Sequence, residues 1–168
     1  MRRKWTTLWQ LSPPERRLLI QSLVLLPLTS VGLGLFGLRK CQSVLLALVP
    51  AHPAWVGPDA SLFAGAASRM VRLAAVRGLS RPLCLPRSLV LWFLLRRRKI
   101  DARLRIGVRR QSERFDAHAW VEWSGFVVND RRNVLTRYAA FDEFAPVQAS
   151  PRSRWRLASR RAASHVAK

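Results

Sequence analysis

Three side chains in this sequence have the types that acyl transfer by a cysteine nucleophile requires. Cys84 supplies a thiol, His118 an imidazole that can take and give a proton, and Asp130 a carboxylate that can hold the imidazole in place. Together they are the nucleophile, the base and the orienting group of that chemistry. The chain contains only 2 cysteines, 3 histidines and 9 acidic residues, so few other sets of this kind can be built from it. The sequence therefore predicts a triad in the order Cys, His, Asp.

Each of the three residues also has an ordinary structural explanation. A lone cysteine at the start of an apolar helix usually packs in the core. A histidine among strand aromatics can be a satisfied core residue, and Asp130 after Asn129 can belong to a turn. The triad is favoured because its members fall on one consistent arrangement of a helix and a hairpin.

Cys84 lies where a buried helix should begin. Pro86 suits the first turn of a helix, and the four cations at residues 96–99 suit its C-terminal end, where the helix dipole is negative. The residues between them are apolar on almost every side, which is typical of a buried central helix. A cysteine at the positive end of such a helix is in a setting that stabilises a thiolate. Cys41, in contrast, is expected to be an inert core thiol.

The residues after this helix predict an antiparallel meander. Residues 101–110 alternate apolar and polar side chains with a period of two, which indicates a half-buried strand. Residues 115–123 and 126–130 then flank a Ser-Gly turn signal. A central helix that starts at Cys84 and packs on this meander gives an α+β fold with a papain-like, transglutaminase-like core.

The length of the turn decides whether His118 and Asp130 can meet. A two-residue turn of Ser124 and Gly125 would put them on opposite faces of the hairpin. A three-residue loop that also includes Trp123 would place them directly opposite each other. We predict the three-residue loop, because β-carbons about 5 Å apart on one face let the carboxylate hold the imidazole.

The N-terminal part is predicted to be helical and apolar. A capping box in Ser12-Pro13-Pro14-Glu15 should start a helix near Pro13. Residues 18–38 contain no charged side chain and approach the roughly 20 residues that span a bilayer. Pro27 and three glycines in this segment favour two helices joined by a bend instead, with a membrane span or peripheral membrane insertion as the alternative. A further helix is expected over residues 59–78, most of it scaffold.

Length and charge limit the classes of protein to consider. The 168 residues allow one compact domain with short appendages. We divide them into a helical region and connector (1–58), a transglutaminase-like core (59–146) and a basic tail (147–168). The net charge of +21 makes nucleic acid, anionic lipid and acidic peptide candidate partners. No helix-turn-helix or RNA-binding signature supports nucleic acid, so no such partner is expected.

The cysteine content indicates a reduced compartment. Two cysteines are too few for the disulfide framework of a secreted protein, and they lack metal-ligand spacing. We therefore expect a cytoplasmic protein that needs no metal or cofactor, with membrane association of the apolar segment as an open alternative.

Four segments of the chain carry a resemblance to a known family. They are Cys84-Leu85-Pro86-Arg87-Ser88-Leu89, Leu104-Arg105-Ile106-Gly107-Val108, His118-Ala119-Trp120-Val121-Glu122 and Val128-Asn129-Asp130. Together they resemble the lasso-peptide leader peptidases, which belong to the transglutaminase-like branch of papain-fold proteins. The resemblance covers roughly Trp5 to Phe144 and implies Cys84 as nucleophile, His118 as base and acid, and Asp130 as the group that orients the imidazole.

The resemblance also implies partners. In that family a cysteine peptidase removes the leader from a ribosomally made precursor peptide, and an ATP-dependent, asparagine-synthetase-like cyclase then closes the macrolactam ring. Because this chain begins directly with apolar helices, it resembles the stand-alone form, which needs a separate leader-recognition protein.

Two further residues are candidates for substrate contact, and two other classes of function stay open. Trp120 alternates with His118 on the strand and can wall the same face, although an ordinary core position explains it equally. Arg105 belongs to a basic strand face that can meet an acidic leader, or simply face solvent. A transglutaminase-like acyl transferase would use the same triad, with an amine in place of water. The other alternative is a basic protein without catalysis that binds nucleic acid or a membrane.

Overall fold

The computed structural model describes residues 11–50, 58–78, 83–111, 114–130 and 133–141. Its helices are α1 (Pro13–Ala47), α2 (Pro58–Arg77), α3 (Cys84–Arg97) and α4 (Val134–Arg137). Its strands are β1 (Arg103–Gln111), β2 (Arg114–Trp123), β3 (Phe126–Val127) and β4 (Ala139–Phe141). The strands form one antiparallel sheet in the order β3-β2-β1-β4. The predicted α+β fold is confirmed, whereas the predicted tail 147–168 lies outside the described residues.

Helix α1 begins where the capping box predicted. The backbone N–H and the hydroxyl of Ser12 both donate to Oε2 of Glu15, at 3.1 and 2.8 Å. The Glu15 carboxylate also accepts a bond from Arg69 on α2 at 3.0 Å. The Ser12 hydroxyl, followed by Arg69, lowers the pKa of Glu15 below its usual value. One carboxylate therefore both caps α1 and joins it to α2.

The predicted bend in α1 is at Gly37. This residue has φ 74° and ψ 173°, a backbone conformation that glycine adopts readily and other residues do not. A Cβ placed on Gly32 would lie 3.2 Å from Sγ of Cys41. In a straight helix these positions would be about 13 Å apart along the axis, so the chain folds back at Gly37. Pro27 lies within the first helical segment and does not break it.

One face of α1 is apolar and exposed. Ile20, Val24, Leu28, Val31 and Leu35 recur every three or four residues and are each more than half exposed. We call these five residues the apolar stripe. Among the described residues, α1 is a helix that is long and apolar enough, by length and composition, to cross a membrane. This helix therefore allows membrane association.

The core is built around α3, as predicted. Every residue from Leu89 to Leu95 is buried, and Trp92 is fully enclosed. Small residues of α2, among them Ala60, Ala64 and Ala67, are also buried in this core. At its C-terminal end α3 is held by an ion pair between Arg96 and Asp101. A single hydrophobic core thus joins the first three helices to the sheet.

The register of the β2–β3 hairpin differs from the prediction. Trp123 pairs with Phe126, so the turn has two residues, and the predicted three-residue loop is wrong. Ser124 (φ 48°) and Gly125 (φ 78°) both have positive φ, as a tight hairpin turn of this hand requires. Strand β3 is also shorter than predicted and ends at Val127.

Strand β4 was not predicted. It pairs with β1 on the side opposite β2, with Gly107 opposite Ala140. It contains only three residues, Ala-Ala-Phe, which is too short to show an alternating pattern. It makes β1 a central strand and places the preceding residue, Tyr138, beside the sheet.

Candidate active site

His118 and Asp130 are hydrogen-bonded to each other. Nε2 of His118 lies 2.5 Å from Oδ2 of Asp130, and the two side chains are 21% and 33% exposed. Both residues line a cavity of about 550 Å³ between α2, α3 and β2. Two of the three predicted site residues are therefore in contact, even though the predicted hairpin register is wrong.

Asn129 explains how this contact forms. After Val127 the chain keeps only part of its pairing with β2. The N–H of Val128 still donates to the carbonyl of Val121 at 2.9 Å. The N–H of Val121, however, donates to the side-chain Oδ1 of Asn129 at 2.8 Å. The amide side chain thus takes the place of a strand carbonyl, and the chain bends. Asp130 consequently no longer follows the strand alternation and lies against His118.

The same amide connects this bend to α3. Nδ2 of Asn129 donates to the hydroxyl of Ser88 at 2.8 Å, and that hydroxyl donates to the carbonyl of Ala119 at 2.8 Å. Ser88 is fully buried. We call these two hydrogen bonds the Ser88–Asn129 bridge. The bridge fixes α3 to β2 at the residue next to His118.

Cys84 is the first residue of α3, as predicted, and its half-buried thiol is free. Ser88 follows it by four residues, so the two share one face of the helix and lie about 6 Å apart along its axis. Cys84 is not among the residues that line the cavity. The structure thus places the thiol one helical turn from the bridge that holds the His118 strand.

Tyr138 packs against the His118 ring and binds a second carboxylate, that of Asp116. Its ring centroid lies 5.2 Å from that of His118, and its hydroxyl donates to Oδ2 of Asp116 at 2.8 Å. Arg109 donates to the same oxygen at 2.9 Å. The hydrogen bond from Tyr138, followed by that from Arg109, lowers the pKa of Asp116. Burial, followed by the bond to Asp116, raises the pKa of Tyr138 above its usual value.

Trp120 and Arg105 lie in a cluster beside His118. The indole of Trp120 is fully buried, stacks on His118 at 6.4 Å and donates to Oε1 of Glu122 at 2.7 Å. Arg105 donates to the other oxygen of Glu122 at 3.1 Å. Neither Trp120 nor Arg105 lines the cavity. Substrate contact by either residue remains a prediction. The stacking of Trp120 on the His118 ring, in contrast, is a contact of the structure.

Sequence reasoning did not single out Ser88, Asn129 or Tyr138. Ser88 had a usable signal, because a polar side chain inside a fully apolar helix must find a buried hydrogen-bond partner. Asn129 and Tyr138 had none, since their contacts depend on residues far away in the chain. Within the residues that the structure describes, no group of three or more His, Cys, Asp or Glu side chains could hold a metal ion.

Comparison with known proteins identifies the family of the chain. The sequence model of the transglutaminase-like superfamily matches residues 26–143. The Microcin J25-processing protein McjB of Escherichia coli is 43% identical over 60 residues, which are 36% of this chain and 28% of the relative. The match thus spans less than a third of that relative's length. No solved structure matches the chain. The predicted resemblance is confirmed, and because the superfamily match covers more than half of the sequence, the chain belongs to the transglutaminase-like superfamily.

Proposed function

We propose that the protein is a cysteine peptidase that removes the leader from a ribosomally made lasso-peptide precursor. The observation that carries this proposal is the hydrogen bond between His118 and Asp130 at the edge of a cavity. The position of Cys84 at the start of α3, one turn from the Ser88–Asn129 bridge, supports it. Similarity to a microcin-processing protein supports the class of substrate.

The proposed reaction has two stages. The Cys84 thiolate attacks the carbonyl carbon of the leader–core peptide bond, and a carbon–sulfur bond forms. The imidazolium of His118 then gives its proton to the departing amine as the carbon–nitrogen bond breaks, which leaves a thioester. Water attacks the thioester while His118 takes its proton. The carbon–sulfur bond breaks, and the leader acid departs.

The geometry supports the proposed roles of His118 and Asp130 in this scheme, and the start of α3 supports a role for Leu85. Asp130 holds Nε2 of His118, so the other ring nitrogen, Nδ1, is the one that would exchange protons with thiol, amine and water. The backbone N–H of Leu85, at the start of α3, is a proposed donor to the oxyanion. Cleavage also frees the amino group of the core peptide, which a ring-closing amide bond requires.

The proposed partners follow from the family resemblance. The substrate is the precursor peptide, which a separate leader-recognition protein presents. An ATP-dependent, asparagine-synthetase-like cyclase consumes the core peptide that is released. The proposed location of this pathway is the cytoplasm.

The test is cleavage of a precursor peptide in the presence of its leader-recognition protein, followed by mass spectrometry. We expect free leader acid and free core amine from wild type. Asp130→Asn should lower the turnover by at least about a hundredfold, because it removes the charge that orients the base. Cys84→Ala should abolish cleavage, whereas the matched control Cys41→Ala should retain it. Full activity in Asp130→Asn or Cys84→Ala would refute the proposal. Conversion of the leader to an amide by added amine would favour the acyl-transferase alternative.

We further propose that α1 contacts an anionic membrane surface. The apolar stripe is exposed along one face of the helix, and cations flank it at Arg16, Arg17, Arg39 and Lys40. An apolar helix face with basic flanks is typical of interfacial binding. In a vesicle flotation assay, Leu28→Glu should weaken binding to anionic vesicles. The matched control Leu62→Glu changes a leucine on α2 that is at least as exposed and should not weaken vesicle binding. Equal effects of the two variants would contradict the proposal.

A further inference from the structure

The cavity that His118 and Asp130 line carries more positive than negative charge. Arg69 and Arg72 of α2 and Arg87 of α3 all line it. Arg69 is already paired with Glu15 across the α1–α2 contact. Among the residues that the structure describes, Arg72 and Arg87 have no carboxylate partner within ion-pair distance. Within the described residues, the cavity thus holds two guanidinium groups whose charge no ion pair neutralises.

Arg87 has a second unusual feature. Its Nε atom is buried and has no hydrogen-bond acceptor within the described part of the chain. A buried donor of a charged group without an acceptor is unfavourable, and native structures contain few of them. The side chain as a whole is only half buried and lines the cavity, so a bound carboxylate can meet the terminal nitrogens of its guanidinium group, whose planar geometry matches the two carboxylate oxygens.

We propose that Arg87, assisted by Arg72, forms a subsite for a carboxylate of the peptide substrate. This proposal rests on the proposed function, and it adds that the substrate carries an aspartate or glutamate near the cleaved bond. Arg87 follows Cys84 by three residues, so the two side chains are neighbours on the helix surface, about 5–6 Å apart at their β-carbons. An extended peptide advances about 3.3–3.6 Å per residue. The acidic residue therefore lies within about two residues of the carbonyl that Cys84 attacks.

The test compares two alkylating reagents of nearly equal size on Cys84. Iodoacetate carries a carboxylate and iodoacetamide does not, so a cation near the thiol favours the first. Both reagents react with the thiolate, and any change in the amount of thiolate cancels when their rates are divided. The ratio of the two rates at Cys84, measured by peptide mass spectrometry, therefore reports the charge around the thiol, and the comparison of variants assigns that charge to individual side chains.

We expect Arg87→Gln to lower the ratio of iodoacetate to iodoacetamide rates at Cys84 by roughly fivefold at low salt, and Arg72→Gln to lower it less. Arg87→Lys keeps the charge and should retain most of the ratio, which guards against a variant that merely unfolds. Arg39→Gln removes the same charge from the exposed surface of α1 and should leave the ratio unchanged. Added salt should reduce the wild-type ratio toward that of Arg87→Gln.

Failure of this proposal differs from failure of the proposed function. If His118→Ala slows alkylation of Cys84 by iodoacetamide but Arg87→Gln leaves the ratio unchanged, the thiol site stands and the anion subsite is refuted. If His118→Ala does not change the iodoacetamide rate, the thiol–imidazole pairing itself is refuted. Equal losses in Arg87→Gln and Arg39→Gln would show a general charge effect and would also refute the subsite.

Discussion

Replacing Asn129 with alanine should both destabilise the fold and disturb the candidate site. The change removes the acceptor for the N–H of Val121 and the donor to the hydroxyl of Ser88. Val121 is fully buried, and its N–H would be left without an acceptor, which costs about 1–3 kcal/mol. Ser88 keeps its bond to the carbonyl of Ala119 and loses one hydrogen bond, worth about 0.5–1.5 kcal/mol. Water from the adjoining cavity would offset part of this cost, so we expect a loss of about 1–3 kcal/mol in the free energy of unfolding. For a protein of this size, that is roughly 2–12 °C in Tm.

The assay is urea unfolding followed by circular dichroism. Asn133 provides a matched control, because its side chain is exposed and makes no capping hydrogen bond at the start of α4, and Asn133→Ala should change the stability by less than about 0.5 kcal/mol. Ser88→Ala breaks the same bridge from the other side, so the double variant should lose about 1 kcal/mol less than the sum of the single losses. Strict additivity, or a loss in Asn129→Ala no larger than in the control, would refute the bridge.

Two further predictions concern the sheet around His118. Tyr138 is the chain's 1 tyrosine, so its ionisation can be followed by tyrosinate absorbance: the midpoint should lie above the usual pKa of 10.0 and move toward it in Asp116→Ala. Burial and the bond to Asp116 raise the folded-state pKa of Tyr138, so its environment stabilises the fold below about pH 10. This contribution disappears as the pH rises through the folded-state pKa. An unshifted midpoint in wild type would contradict the contact. Gly107→Ala should lower the stability by about 1–3 kcal/mol, because its Cβ would lie 2.8 Å from the carbonyl oxygen of Ala139. Thermal unfolding checks this against Gly34→Ala, where a Cβ meets nothing within 4 Å and a small gain is expected.

The sequence was informative wherever a local pattern decides the structure. The capping box fixed the start of α1, and the apolar run between Pro86 and the cations after Leu95 identified the buried helix α3. Alternation identified β1 and β2 within one or two residues. These features depend on helix and strand periods and on end chemistry, which neighbouring residues supply.

The contact between His118 and Asp130 was predicted correctly from an incorrect register. A Ser-Gly pair fits turns of either length, so local sequence could not choose between them. The deciding interaction is the bond between Asn129 and Ser88, which are 41 positions apart. Tyr138 was missed for the same reason, because only the folded sheet brings its hydroxyl to Asp116, 22 positions earlier.

The two-residue turn of the β2–β3 hairpin has a consequence for how this protein can vary in evolution. A change in this turn that shifts the pairing of β3 against β2 by one residue would reverse the face of every side chain that follows in β3. The amide of Asn129 would then miss the N–H of Val121, and the bend that brings Asp130 to His118 in this structure would be lost. The hairpin from His118 to Asp130 should therefore keep a constant length in proteins that share the contact between this imidazole and this carboxylate.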